Sequence, residues 1–459
     1  MSSAQSPIRY PPLGSSSVMT KRGWWLVVLN LLVPGSAQVL AGNRRLGRFG
    51  LGATLTLWAL AVLLGVAYLL WPAAVFTLFT STLGLWAAAA VLVFYAVIWV
   101  ILTLDTIRLV RLVKAAPKAR PVIAGLAVVL MVAVSGTAAY GAYVATTASG
   151  FLSSVFVAGP TEPPVDGRYN ILLLGGDAGA DREGMRPDSI SVVSIDADTG
   201  QATMIGLPRD LLYVPFSDDS PMKAEYPDGY GGTNETCRVG GVDDPCQLNW
   251  IYTEVEDKSP EMYPDAVSQG SEPGIEGMRD AAQGVTGLTI QYFVLIDMQG
   301  FSDLIDALGG VDIDVQSRVP VHSDDTFTDV AFWFEPGMQH MDGYHALWFA
   351  RSRHGTSDYD RMNRQHQLQE AVLAQANPTN VIAKFEAVAK AGTQVVKTDI
   401  PQGMLGYFVN LASKTKTLPI NSVNLTPDNN IDPTDPDYTA IREMIDAALN
   451  PPSTETPAP

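Results

Sequence analysis

Acidic residues are all but missing from the first third of this 459-residue chain. Residues 1–149 hold one acid, Asp105, against eleven lysines and arginines, a balance of +10. The whole chain carries -17, so residues 150–459 carry -27. The first third therefore has no carboxylate pair for acid/base or metal chemistry, and it lacks the intramembrane charges that mark a transport pathway. The acidic remainder is short of the Lys and Arg that neutralise a phosphate backbone, which excludes nucleic acid as a partner. There are five histidines, none in an H-E-x-x-H spacing. GGDAGADREG at 175–184 is glycine-rich but lacks the Gly-Lys-Ser/Thr ending of a phosphate loop, and no Gly-x-Ser-x-Gly elbow occurs. Cysteine is limited to Cys237 and Cys246, which bracket the polar loop CRVGGVDDPC. Outside the cytoplasm the pair is expected to close a disulfide.

What the first third does have is long apolar runs, at 24–41, 49–71, 73–104 and 121–146. The last three reach the roughly 20 residues that span a bilayer core. The first is interrupted by Pro34-Gly35 and is expected to dip in and return as a re-entrant hairpin. That reading puts all the basic clusters in the cytoplasm: Lys21 and Arg22; Arg44, Arg45 and Arg48; and Arg108 to Arg120. Residues 1–23 are then a cytoplasmic tail, and the run at 121–146 delivers the acidic part to the outer side. Irregular backbone at membrane depth must be covered, so neighbouring helices are expected to pack on it. A cleaved signal peptide does not fit runs so many and so long.

Residues 147–167 read as a Gly- and Pro-punctuated linker to a domain over 168–450, and the tail 451–459, PPSTETPAP, as disordered. RYNILLLGG is apolar without alternation, as in a strand buried on both faces. YFVLID and VDIDV read as further strands. IEGMRDAAQGVTGL, QGFSDLIDALGG, MDGYHALWFARSR, DYDRMNRQHQLQEAVLAQAN, VIAKFEAVAKAGTQVV and YTAIREMIDAALN read as helices. Strands alternating with helices predict an α/β fold, a three-layer α-β-α domain around a mostly apolar sheet.

Within it, RPDSISVVSIDADTGQATMIGLPRDL predicts a hairpin turning at Asp198-Thr199, with Gly200 free to take a left-handed conformation. Cross-strand partners then share an index sum near 397, which sets Asp188 opposite Arg209. Asp177 follows the apolar strand and converges on Asp188 if that strand neighbours the hairpin. On the later helices Arg361, Arg364 and Gln365 fall at i, i+3 and i+4, a shared face, with Arg351 and Arg353 just upstream. Surface ion pairing accounts for any one of these pairs. Six arginines (186, 209, 351, 353, 361, 364) among the nineteen basic residues of an acidic domain suggest instead a phosphate-bearing ligand. A pair of aspartates beside phosphate suits Mg2+.

At these residues the sequence resembles the LytR-CpsA-Psr family of envelope glycopolymer transferases. NILLLGGDAG, RPDSISVVSID, GLPRDL, YFVLIDMQGFSDLIDALGGVDIDV, MDGYHALWFARSR and DYDRMNRQ occur in the family's order, over roughly residues 165–375. The resemblance implies a membrane-anchored enzyme that moves a glycan phosphate from a polyprenyl-pyrophosphate carrier to peptidoglycan on the outer side. It implies Mg2+ on Asp177 and Asp188, phosphate contacts from Arg186, Arg209, Arg351, Arg353, Arg361, Arg364 and Gln365, and an apolar tunnel between sheet and helices for the lipid. A carboxylate could take the acceptor's proton, and Asp188 and Asp210 are the candidates. The sequence departs from the family where a Lys-x-Asn run often follows Pro-Arg-Asp. CQLNWIY keeps Asn249 but has Gln247 in the lysine position, so Lys223 could supply the cation. Two other readings share these residues: a polyprenyl-pyrophosphate hydrolase, with water as acceptor, and a non-enzymatic envelope regulator. The cytoplasmic pieces expected here are too small to fold as a reader domain.

Overall fold

The computed structural model describes residues 9, 11, 14–157, 159, 161–177, 185–232, 237–239, 245–321, 330–352, 357–375 and 396–451. The expected helix over 381–396 lies outside these residues except for Val396, as do Arg353, most of the Cys237–Cys246 loop and the tail beyond 451. The chain divides into two compact units, Met1–Gly150 and Phe151–Pro459.

The first unit is helical: α1 (Ser16–Leu32), α2 (Ser36–Ala41), α3 (Arg44–Leu70), α4 (Pro72–Thr80), α5 (Thr82–Val110) and α6 (Ala119–Val155), which runs on into the second unit. Three of its helical stretches, Arg44–Leu70, Thr82–Lys114 and Ala119–Val155, are long and apolar enough to cross a membrane. The run at 73–104 is not one helix. Pro72 opens α4, and Ser81 ends it by capping α5, its Oγ accepting from the Gly84 amide at 3.1 Å. The run at 24–41 folds as helix, turn, helix. Gly35 makes the turn at φ 94°, and a Cβ there would lie 2.3 Å from the Leu51 nitrogen. The turn is covered by α3 and α5. Thr54 Oγ1 donates to the Pro34 carbonyl at 3.1 Å, and Asn30 Nδ2 donates to Thr103 Oγ1 at 3.0 Å. The fully buried Gln38 donates to the Leu102 carbonyl and to Thr106 Oγ1 at 2.8 and 2.9 Å. Each bond satisfies a polar group that apolar surroundings would otherwise penalise.

The second unit has ten strands among its described residues: β1 (Arg168–Asp177), β2 (Arg186–Asp196), β3 (Ala202–Gly206), β4 (Tyr292–Asp297), β5 (Val311–Val315), β6 (Val319–Val321), β7 (Phe332–Phe334), β8 (Gly337–Met341), β9 (Val396–Thr398) and β10 (Asn421–Asn424). Six form the central sheet in the order β10-β3-β2-β1-β4-β9. It is mixed: β1 runs antiparallel to β2 and parallel to β4. Among the described residues its helices are α7 (Pro221–Glu225), α8 (Trp250–Thr253), α9 (Pro273–Thr286), α10 (Met298–Leu308), α11 (Gly343–Arg351), α12 (Asp358–Gln375), α13 (Leu405–Thr415) and α14 (Tyr438–Leu449).

The unbroken apolar run of β1 follows from burial on both faces. Leu172 and Leu174 join a core with Met278 and Val285 of α9 and Ile441 and Ile445 of α14. Tyr169 and Ile171 join another with Tyr292 and with Leu405 and Leu411 of α13. This is the expected α/β sandwich of helices on both sides of a sheet. The strand VDIDV forms as β5 but, among the described residues, pairs only with β8, in a two-stranded sheet whose core includes Ile305 of α10 and Phe349 of α11. Its alternating burial, Val311, Ile313 and Val315 in and Asp312 and Asp314 out, explains why it does not enter the doubly buried central sheet.

Gly35→Ala adds a Cβ to a left-handed residue pressed on the α3 backbone. It should destabilise the helical unit by about 1–3 kcal/mol, read as a lower melting temperature of the detergent-purified chain. Gly52→Ala, where a Cβ meets nothing within 4 Å, should leave it unchanged.

Candidate functional site

The hairpin places the first two groups. Ser191 pairs with Gly206, Val192 with Ile205 and Ile195 with Ala202, each pair on the index sum read from the sequence. The turn is closed by Asp196 Oδ1, which accepts from the amides of Asp198 and Thr199 at 3.1 and 2.7 Å, and by Gly200 at φ 81°. The register continues past the end of β3, where the Leu207 amide donates to the Ile190 carbonyl at 2.9 Å. Two residues on, Arg209 Nη1 meets Asp188 Oδ1 at 2.8 Å, with the side chains 22% and 11% exposed. So sheltered a pair is screened less than a surface one.

β1 lies beside the hairpin, as the convergence of Asp177 and Asp188 requires. Asp177 pairs through its backbone with Arg186, two residues from Asp188. The Asp177 side chain lies outside the described residues. A register shift between Gly175 and Gly176 bends the strand end. Both glycines allow close approach: a Cβ would lie 3.0 Å from Ser189 Cβ at the first and 2.5 Å from Met185 Sδ at the second.

Helix α12 brings in the remaining groups. Asp188, Arg209, Asp210, Tyr359, Arg361 and Gln365 line one small pocket. Arg361 and Gln365 are 4% and 5% exposed. Ser189 and Gln365 also line a second, larger apolar cavity, between the sheet residues Leu173 and Ile296 and the helix residues Phe301, Leu347 and Leu368. A charged compartment thus adjoins an apolar one, and the two share a wall.

Three other arginines point elsewhere. Arg364 shares less of the face than its spacing suggests. At about 100° per residue Arg361 and Gln365 are about 40° apart, whereas Arg364 is about 100° from Gln365. It is buried against α11, where Nε donates to the Phe349 carbonyl at 2.9 Å and Nη2 to that of Ser352. Its first described task is to tie the two helices together. The Arg186 guanidinium lies over the Trp250 ring at 5.2 Å, and that of Arg351 over Trp348 at 5.5 Å. Asp188, Arg209, Asp210, Arg361 and Gln365 are therefore brought together; Arg186, Arg351 and Arg364 do not line that pocket. Gln247 and Asn249 lie beside the hairpin end, the Asn249 amide donating to the Arg209 carbonyl at 3.1 Å. Lys223 pairs with Asp218 away from this pocket. Cys237 and Cys246 have Cα atoms 5.7 Å apart, within disulfide reach.

Sequence reasoning passed over Tyr359, which lines the pocket, and His366, which packs on β3 next to Gln365. His366 is 5% exposed. Its ring sits on Gly206, where a Cβ would lie 2.5 Å from Cε1. Burial pushes its pKa down to about 4, against a weaker upward effect of Asn424. A lone histidine inside a polar helix gave no periodic signal of burial.

A sequence profile of the LytR_cpsA_psr family matches residues 157–447. Among curated relatives, the cell wall biosynthesis protein LcpA of Corynebacterium glutamicum is 27% identical over 293 residues, 57% of this chain and 52% of LcpA. The polyisoprenyl-teichoic acid–peptidoglycan teichoic acid transferase TagV of Bacillus subtilis is 25% identical over 237 residues, 50% of each chain. The chain spans about half the length of these two relatives. Among solved structures, that of B. subtilis TagV aligns with 62% of this chain and 97% of its own, at 22% identity and TM-score 0.41. TagT bound to LIIa-WTA aligns with 63% and 94%, at 17% identity and TM-score 0.38.

Because the fold holds His366 neutral, the unfolded chain binds a proton there more readily. Stability from this residue is complete above pH ~6.5 and falls by about 3 kcal/mol as pH drops to ~4. Melting temperatures of the wild type should therefore decline more steeply from pH 6.5 to 4.5 than those of His366→Gln; parallel declines would contradict this.

Proposed function

We propose, since the chain belongs to the LytR-CpsA-Psr family, that it is a membrane-anchored phosphotransferase that moves a glycan phosphate from a polyprenyl-pyrophosphate carrier to a hydroxyl of peptidoglycan. The observation that carries this reading is the shared wall of two compartments. The charged pocket of Asp188, Arg209 and Arg361 suits a pyrophosphate, and the apolar cavity beyond Ser189 and Gln365 suits the first isoprene units of its lipid. Further supports are the relatives' names, the three apolar helices and the placement of basic residues, which argues for an outer catalytic domain.

In this reaction the acceptor oxygen attacks the phosphorus that bears the glycan. The bond from that phosphorus to the bridging oxygen breaks, and polyprenyl phosphate leaves. Such chemistry asks the protein for positioning and charge neutralisation. Arg209 and Arg361 neutralise the pyrophosphate and the leaving phosphate. Arg209 is itself held by Asp188, so its guanidinium is fixed before substrate arrives. Asp210 lines the same pocket and in this reading takes the acceptor's proton. An all-oxygen donor set of few carboxylates next to phosphate fits Mg2+. Asp177 and Asp188 would hold it, and it would supply further charge neutralisation to the pyrophosphate oxygens.

Arg209→Ala should lower transfer from a lipid-linked glycan to peptidoglycan by at least about 100-fold, on the scale of losing an electrostatic stabiliser, with the melting temperature kept within a few degrees. Radiolabelled glycan recovered in the peptidoglycan fraction measures it. Equal release of free glycan phosphate with and without acceptor would instead identify a hydrolase. Chelation by EDTA should abolish turnover, and Mg2+ should restore it. On the outer side Cys237 and Cys246 are oxidised in this reading. Reduction or Cys246→Ser should then cost about 2–3 kcal/mol of stability, while a chain without the bridge would melt identically with and without reductant.

A further inference from the structure

The helical unit lies outside residues 157–447, which the family profile matches, so the transferase reading leaves it no task beyond anchoring. One end of it gathers cations, and Leu109, near the end of α5, is where its segments converge. A Cβ on Gly42, just before α3, would lie 2.6 Å from Leu109 Cδ1, and Arg22 Nη1 of α1 donates to the Leu109 carbonyl at 2.7 Å. The start of α6 joins them. Ile123 Cδ1 would lie 3.2 Å from a Cβ on Gly23, and the Ala116 amide donates to Thr20 Oγ1 at 2.9 Å. Around this point Arg44, Arg45 and Arg48 of α3, and Arg108, Arg111 and Lys114 at the end of α5, are all exposed. Asp105 is the one acid in residues 1–149, so the unit holds no matching set of carboxylates for them.

Helix dipoles sharpen the imbalance. Arg108 lies in the last turn of α5, where a cation is favoured. At α3 the arrangement is the reverse. Arg44 and Arg45 are its first two residues, its first turn has no acid, and its cap is the neutral Asn43, which accepts from the Arg45 amide at 3.0 Å. A helix N-terminus carries about half a positive charge and favours an anion. Here it meets added arginines, a repulsion that an external anion would relieve. The neighbouring surface selects the anion. Phe94, Val97, Ile101 and Leu104 are each about half exposed, and at about 100° per residue they and Arg108 fall within about 80° of one another on α5. The Phe49 ring of α3, one turn past Arg45, meets Phe94 edge-on at 6.4 Å and extends this apolar stripe. The cations also mark the ends of the membrane-length stretches Arg44–Leu70 and Thr82–Lys114, which is headgroup depth. A soluble polyanion would leave the stripe uncovered. We propose that this end of the helical unit binds an anionic phospholipid, its phosphate held by the arginines at the start of α3 and the end of α5 and its acyl chains laid along the stripe. The planar fork of arginine matches the phosphate oxygens. This site is independent of the transferase reading and of the side of the membrane it faces.

The test uses the full chain in dodecyl maltoside, an uncharged detergent, with dioleoyl phosphatidylglycerol or dioleoyl phosphatidylcholine titrated in. Phosphatidylglycerol should raise the melting temperature, and phosphatidylcholine should not. The triple variant Arg44→Gln, Arg45→Gln, Arg48→Gln should raise the phosphatidylglycerol concentration for half-maximal stabilisation by about 100-fold, at roughly fivefold per cation. Without added lipid the same variant should melt no lower than the wild type, because it loses the repulsion at the start of α3. With phosphatidylglycerol the wild type should melt higher. The pair Arg111→Gln, Lys114→Gln at the other helix end gives a second reading, with an expected shift of about 25-fold. If the arginines only held the helices together, the triple variant would melt lower by the same amount with and without lipid, and the proposal would fall. Equal stabilisation by the two lipids, or an unmoved midpoint in both variants, also overturns it. So does equal stabilisation by inorganic pyrophosphate, which would make the ligand a soluble one.

Discussion

The ion pair between Arg209 and Asp188 at 2.8 Å is the contact on which the charged pocket depends. It joins the two open ends of one hairpin, and it exists because β2 and β3 are paired in one register. A slip of one residue would turn each strand's side chains to the other face. That register is specified twice. The Asp196-Thr199-Gly200 turn fixes it at one end. Burial of Ile190, Val192 and Ile205 on the same core fixes it along the length. The geometry of this pocket is therefore a by-product of sheet packing, which is far more costly to disturb than a loop.

Much of this was legible from residues alone. An antiparallel hairpin is governed by local arithmetic, so the turn at Asp198-Thr199 alone sets Asp188 against Arg209. The doubly buried β1 was legible for a similar reason, because NILLLGG offers no polar face. Legibility failed where position depends on distant packing. VDIDV has a strand's pattern, but whether it joins the central sheet is settled by Met341, Ile305 and Phe349. The edge strand β10, Asn421–Asn424, is short and polar, and β9 is three residues long. Neither carries a hydrophobic period of its own. Arg364 marks the limit of spacing rules: i, i+3 places it near the pocket, and the carbonyls at the end of α11 draw it away.

The helical unit solves a different problem. Pro34 and Gly35 break a helix among apolar neighbours, and the cost is met by specific bonds. Gln38, Asn30 and Thr54 link the broken segment to α3 and α5. Glycines at 35, 47 and 50 let the backbones touch: a Cβ at Gly47 would lie 2.5 Å from the Val39 nitrogen. Close approach through small residues, with polar side chains as links, is the packing expected where solvent offers no hydrophobic drive. The disagreement between the apolar run at 73–104 and the observed break at Ser81 has the same lesson. Hydropathy reports what a segment can be buried in, and capping residues report where a helix ends.

His366 rests on Gly206 with no space between them, and Gln365 is its chain neighbour. Gln365 belongs to the wall shared by the charged pocket and the apolar cavity. The thickness of β3 at a single glycine therefore sets how far α12 can close on the sheet. In mechanical terms Gly206 is a shim: the approach of α12 to the sheet is gauged by one missing methyl group.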